Sequence, residues 1–136
     1  MEIELKVGIK FEHTYSFLQE DVIKFSEATG DNNPLHLSDD YAKKTIFGKK
    51  IIHGFLGGSV FSKIFGTIFP GEGTIYLKQN MKFIKPMFVN QEYLAVIEFI
   101  EVNKEKKRAV VKTQIFDNNS CLVLDGDALI QNPYFY

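Results

Sequence analysis

Cysteine is almost absent from this chain. Cys121 is alone, so no internal disulfide can form, and its apolar neighbours Leu122, Val123 and Leu124 suggest a small packed hydrophobe. No pair of cysteines or histidines has the spacing of a zinc ligand set. An excess of either charge is lacking too. Sixteen basic against seventeen acidic residues leave a formal net charge of −1, without the basic surface that nucleic acid requires. Long apolar runs are missing: Lys63 and four glycines interrupt the most apolar stretch, residues 51–70, so no membrane span is expected. The start, Met1-Glu2-Ile3-Glu4-Leu5-Lys6, alternates charge and is no signal peptide. These absences suggest a reduced, cytoplasmic setting, and no linker, repeat or low-complexity tract divides the chain.

What is abundant is aromatic and aliphatic. Thirteen Phe and six Tyr, within 45% hydrophobic residues, supply a substantial core for one domain spanning residues 1–136. Residues 8–15 alternate as a half-buried strand. Ser16 with Gln19 reads as a capping box, followed by Val22, Phe25, Ser26 and Thr29 at helical spacing, with Gly30 as the stop. Ser38, Asp39 and Asp40 open a second short helix to about Thr45. Val60, Ile64 and Ile68, flanked by Phe61, Phe65 and Phe69, predict a long buried helix over residues 53–69, stopped at Pro70-Gly71. Its glycines, each unfavourable by roughly 1 kcal/mol against alanine, imply close approach of another backbone or a ligand. Strands are predicted over residues 74–88 (ending near Pro86), 91–103, 108–117 and 120–131. Their order predicts an α+β architecture, with an antiparallel meander around a long central helix.

Two segments carry chemistry. Gly30-Asp31-Asn32-Asn33-Pro34-Leu35-His36 sets a carboxylate and an imidazole five residues apart on a Pro-restrained loop. Ile52-His53-Gly54 sets a glycine where a helix begins, and free amides there favour negative charge. A base, a second proton-handling group and an oxyanion amide are the parts needed to add water to, or remove it from, an activated acyl chain. Asn33 and Pro34 suit the turn, and a structural hydrogen-bonding role suits His53.

Phe25-Ser26-Glu27-Ala28-Thr29-Gly30-Asp31-Asn32-Asn33-Pro34-Leu35-His36, then Ile52-His53-Gly54, then Pro70-Gly71-Glu72-Gly73-Thr74-Ile75-Tyr76, resembles the MaoC-like (R)-specific enoyl-CoA hydratase family over most of the chain. The resemblance implies a hot-dog fold, dimers joined edge to edge with active sites near the interface, and hydration of trans-2-enoyl-CoA to (R)-3-hydroxyacyl-CoA. It puts the catalytic pair on Asp31 and His36, the oxyanion amide on Gly54, and a serine near the acyl end of the pocket on Ser62. Phe65, one turn on, and Ile130 on the last strand are expected to close a short acyl pocket with Ser62. Lys78, Lys82 and Lys85 either meet the phosphates of coenzyme A or are merely solvated. No cofactor or metal is expected, coenzyme A entering only as the substrate thioester. The expected partners are an acyl-CoA or an acyl-carrier-protein thioester and a second copy of the chain. Alternatives are an acyl-carrier-protein dehydratase, a hot-dog thioesterase and a non-catalytic acyl-CoA-binding subunit.

Overall fold

A computed structural model describes all residues, Met1–Tyr136. In chain order the elements are β1 (Lys10–Tyr15), α1 (Gln19–Thr29), α2 (Pro34–Leu37), α3 (Asp39–Lys43), α4 (Gly54–Gly58), α5 (Val60–Lys63), a π-helical turn (Ile64–Ile68), then β2 (Ile75–Phe83), β3 (Tyr93–Asn103), β4 (Arg108–Phe116) and β5 (Leu122–Gln131). The five strands form one antiparallel sheet in the order β1-β3-β4-β5-β2. The helical run of residues 54–68 lies against its concave face. This is the hot-dog arrangement.

Strand alternation decides which face the helix covers. On β4, Ala109, Val111, Thr113 and Ile115 are buried, while Val110, Lys112, Gln114 and Phe116 are less so. The helix contributes Val60, Phe61, Ile64 and Phe65, which join Ile97, Phe99, Leu124, Ala128 and Ile130 in one core cluster. Each such large side chain contributes about 1.5–3 kcal/mol through burial. The aromatic tail closes the far end of this core. Phe135 is fully buried against Phe99, and Leu5 N–H donates to Tyr136 O at 2.8 Å.

The predicted long helix is present but interrupted at Ser59, starts at Gly54 and leaves helical geometry at Phe69. Ser59 Oγ donates to Leu56 O at 2.6 Å, a back-bond that bends helices. The glycines have a concrete reason. A Cβ on Gly54 would lie 2.8 Å from the Phe83 ring, and one on Gly57 2.6 Å from Met87 Sδ. Gly58 is closed in the same way by Met81. Side chains of β2 and of the segment after it, rather than another backbone, press on this helix.

Other boundaries differ from the sequence reading. Ser16 does not cap α1; Leu18 occupies the cap, and its N–H donates to the Asp21 carboxylate at 2.8 Å. The Asp21 carboxylate takes the part expected of Gln19, accepting the N-cap N–H from three residues on, and no hydroxyl caps the helix. Strand β2 ends at Phe83, short of Pro86, because Ile84 and Lys85 N–H both turn to Val123 O. Cys121 is only half-buried beside the Asp117–Ser120 turn. Gly30 closes α1 in the left-handed conformation (φ 79°), its N–H donating to Ser26 O at 2.8 Å. No helix is long and apolar enough to cross a membrane.

Candidate active site

Gly30 releases the chain into a short, heavily bonded loop. Thr29 Oγ1 donates to Phe25 O at 2.7 Å and accepts from Asp31 N–H at 3.2 Å. Asp31 Oδ1 accepts from Asn33 N–H at 3.4 Å, and Asn33 Oδ1 accepts from Leu35 N–H at 3.1 Å. The last of these caps α2, with Pro34 at its first position. His36 therefore sits in a four-residue helix, not in the loop that the sequence suggested. The helix turns its ring inward, leaving it 8% exposed, while the Asp31 carboxylate stays exposed.

The His36 tautomer follows from its partner. Nδ1 lies 2.8 Å from Ile51 O, and a carbonyl can only accept, so Nδ1 carries the proton. Nε2 is left with a free lone pair. Burial lowers the His36 pKa below 6.5, the bond to Ile51 opposes that shift, and the neighbouring His53 adds to it. His36 is held as a neutral imidazole, ready to accept a proton.

His53 lies on the other side of that ring. The two imidazoles stack with centroids 3.8 Å apart and planes at 29°. His53 is 2% exposed, and Phe25 packs on it at 4.7 Å. Its Nε2–H donates to Asp31 O at 3.0 Å, with Ser26 Oγ also at 3.2 Å. The backbone of His53 is the N-cap of α4, but its ring gives that helix no cap. The N–H groups of Gly54, Phe55 and Leu56 therefore have no protein acceptor, and Gly54 is exposed. Ligand atoms of Asp31, His36 and His53 all lie within 4.8 Å of one another, close enough to hold a cation between them. The five-residue spacing paired Asp31 with His36, but the seventeen residues from His36 to His53 gave no sign that His53 joins them.

Two cavities meet here. One, of about 470 Å³, is lined by Asp31, His36, His53, Gly54, Phe83 and Lys85, among others. The second, of about 680 Å³, is lined by Asp31, Ser62, Tyr76, Lys78 and Met81, among others. Asp31 and Phe55 line both. Tyr76 has its hydroxyl pKa pushed up to about 12 by burial, so it remains protonated. Lys82 lines neither cavity.

Phe65 and Ile130 do not line either cavity. Both are fully buried in the core, on the sheet-facing side of the π-helical turn and on β5. Phe65 meets the second cavity only from behind, through an edge-on contact with Tyr76 at 5.2 Å. The wall that the sequence reading assigned to Phe65 is formed by Tyr76, Leu77 and Met81 of β2. Helical spacing could place Phe65 one turn from Ser62 but could not tell which of the two would face the sheet.

Known proteins resemble this chain in sequence and fold. Residues 2–119 match the MaoC-like domain family. The (R)-specific enoyl-CoA hydratase of Aeromonas caviae is 36% identical over 129 residues, 95% of this chain and 96% of that protein. The mitochondrial 3-hydroxyacyl-[acyl-carrier-protein] dehydratase of Arabidopsis thaliana is 35% identical over 127 residues, 91% of this chain and 75% of that protein. The solved structure of an (R)-hydratase from A. caviae involved in PHA biosynthesis superimposes with a TM-score of 0.90. It is 36% identical, over 95% of this chain and 98% of that one. On the strength of the domain match and of relatives aligned over nearly its whole length, the chain belongs to the MaoC-like family.

Proposed function

We propose that this protein hydrates trans-2-enoyl-CoA to (R)-3-hydroxyacyl-CoA and catalyses the reverse dehydration, a hydro-lyase reaction. One observation carries the reading: the free lone pair of a buried, neutral His36 and the exposed Asp31 carboxylate share a cavity with the unpartnered Gly54 amide. The similarity to proteins named hydratases and dehydratases supports it.

The thioester oxygen accepts the Gly54 N–H, so that negative charge arriving on it in the enolate meets a fixed donor. Water sits between the Asp31 carboxylate and His36 Nε2. Its oxygen adds to C3 as its proton passes to that pair, and the pair returns a proton to C2. Dehydration reverses each transfer. The acyl chain lies in the cavity lined by Ser62, Tyr76 and Met81, and the carrier leaves through the cavity lined by Lys85. Coenzyme A is thus part of the substrate, and the residues named supply the acid–base and oxyanion functions with no further group.

The protein acts as at least a dimer. Strand β2 is a sheet edge, and Ile75, Leu77 and Phe83 on it remain 42–50% exposed, with Phe55 nearby at 68%. An apolar edge of this kind, beside a wide cavity, suits a second copy paired strand to strand.

The deciding assay follows loss of enoyl absorbance from crotonyl-CoA and longer enoyl-CoAs, with chiral analysis of the product. (R)-3-hydroxyacyl-CoA is expected. Release of free thiol without hydration would point to a thioesterase, and binding without turnover to a non-catalytic subunit. Because a carrier-protein dehydratase is among the relatives, the same assay with enoyl thioesters of an acyl carrier protein decides the carrier.

A further inference from the structure

His53 is the one buried ionisable side chain of the site that the hydration steps leave without a task, and it touches every other part. Its backbone opens the helix that presents the Gly54 amide. Its ring donates to the Asp31 carbonyl and covers the face of His36. Ser26 of α1 holds the same ring edge, and Phe25 packs against it. An N-cap position ordinarily carries Ser, Thr, Asp or Asn, whose short side chain bonds the first amides of its own helix. Here the ring turns away from those amides and toward Asp31, and the amides stay open to a ligand.

His53 Nδ1 is fully buried and has no hydrogen-bond partner. The Asp31 carbonyl can only accept, so Nε2 carries a proton, and no protein donor or acceptor meets Nδ1. A buried nitrogen left unpaired is unfavourable for folding. A residue chosen for stability alone would not leave it so.

From these contacts, and resting on the hydratase reading above, we propose that His53 is a positioning residue that fixes the oxyanion amide and the Asp31–His36 pair in one rigid unit. It sets the gap between the amide holding the thioester oxygen and the groups acting at C2 and C3. It does so without touching the reacting atoms. The other ionisable groups lining the cavity with the two rings are Asp31, from the loop after α1, and Lys85, from the segment after β2. Elements α1 and α4 present only Phe25, Ser26, Gly54 and Phe55 to them.

Two variants test this in the full-length protein. His53→Phe keeps an aromatic face on His36 but loses the bonds to Asp31 and Ser26. It removes the unpartnered nitrogen but leaves Asp31 O and Ser26 Oγ without their partner, so Tm is expected to fall modestly while kcat falls by far more than that loss of folded protein explains. Small misplacements of reacting groups can cost about 10²-fold, and a loss of about that order is expected in kcat, with KM for crotonyl-CoA little changed. His53→Gln keeps a donor within reach of the Asp31 carbonyl and loses the facing imidazole. It is expected to recover part of kcat and to move the acid limb of kcat/KM to higher pH, as His36 becomes easier to protonate. Titration of the His36 ring by NMR in both variants and wild type reads the same coupling without turnover. Wild-type kcat and an unmoved His36 titration in folded variants would overturn the proposal, as would a loss of activity that only tracks a loss of Tm. If wild-type protein fails to hydrate any enoyl thioester, the hydratase reading fails, and the NMR titration alone then decides whether His53 governs His36.

Discussion

The sharpest test of the acid–base pair is a cycle of Asp31→Asn, His36→Gln and the double variant. The structure predicts how each behaves as a folded protein. The Asp31 carboxylate is exposed, and its one hydrogen bond within the protein comes from Asn33 N–H at 3.4 Å, which an amide oxygen can keep. Its replacement should change stability by no more than about 0.5 kcal/mol. His36 is buried, and losing its Nδ1–H would leave Ile51 O without its donor, at a cost of about 1–3 kcal/mol. Glutamine retains an N–H that can reach the same carbonyl, so His36→Gln should lie toward the lower figure. Each single change removes general acid–base help worth about 10²–10⁴-fold in kcat, or about 3–5 kcal/mol of barrier. Were the two losses independent, the double variant would fall by about 10⁴–10⁸-fold. If both groups act on one water, removing either already disables the unit, and the double variant should be little worse than the poorer single. Loss of enoyl absorbance under saturating substrate gives kcat, and circular dichroism checks the fold. Full additivity in folded proteins would refute the shared water.

Gly54→Ala forces the Phe83 ring to move from a Cβ only 2.8 Å away; that ring is half exposed and can yield, so the variant should fold, yet kcat should drop about 10²-fold as the amide and cavity wall shift. Thermal scans across pH read the His36 environment. Its lowered pKa means that the unfolded chain takes up a proton first, so stability fully present above pH 6.5 should be lost as pH falls from there through the lower folded pKa, and His36→Gln should flatten the decline. Tyr76→Ala should raise kcat/KM for longer enoyl-CoAs relative to crotonyl-CoA by widening the second cavity, whereas Phe65→Ala should cost about 3–5 kcal/mol of stability, read by denaturant unfolding. Sedimentation at micromolar concentration should give a dimer, and Leu77→Lys on the β2 edge should shift it toward monomer.

The sequence was most legible where one local rule acted alone. Strict alternation sets Val111, Thr113 and Ile115 on one face of β4 within the predicted strand, and the structure buries that face, because a sheet with one covered face punishes a slip of register. Gly30 closed α1 because glycine alone adopts a φ near 79° without strain. Legibility failed where the third dimension chose between two local answers. Asn33-Pro34 signals a turn and a helix start equally well, and only the inward turn of His36 onto Ile51 selects the helix. Ser62 and Phe65 share one helical stretch, but the wrap of β2 and β5 put the first beside a cavity and the second in the core. A hydrogen-bonding role for His53 was legible, but its partners were hidden for another reason. Its partners, Asp31 and Ser26, lie 22 and 27 residues away, and a single histidine in an apolar run has no spacing that could reveal them. A motif in sequence records the groups brought close by a short loop, here Asp31 and His36. The ring that holds those two against a helix amide is brought in by the packing of α1 on the central helix, so it becomes visible only once that packing is known.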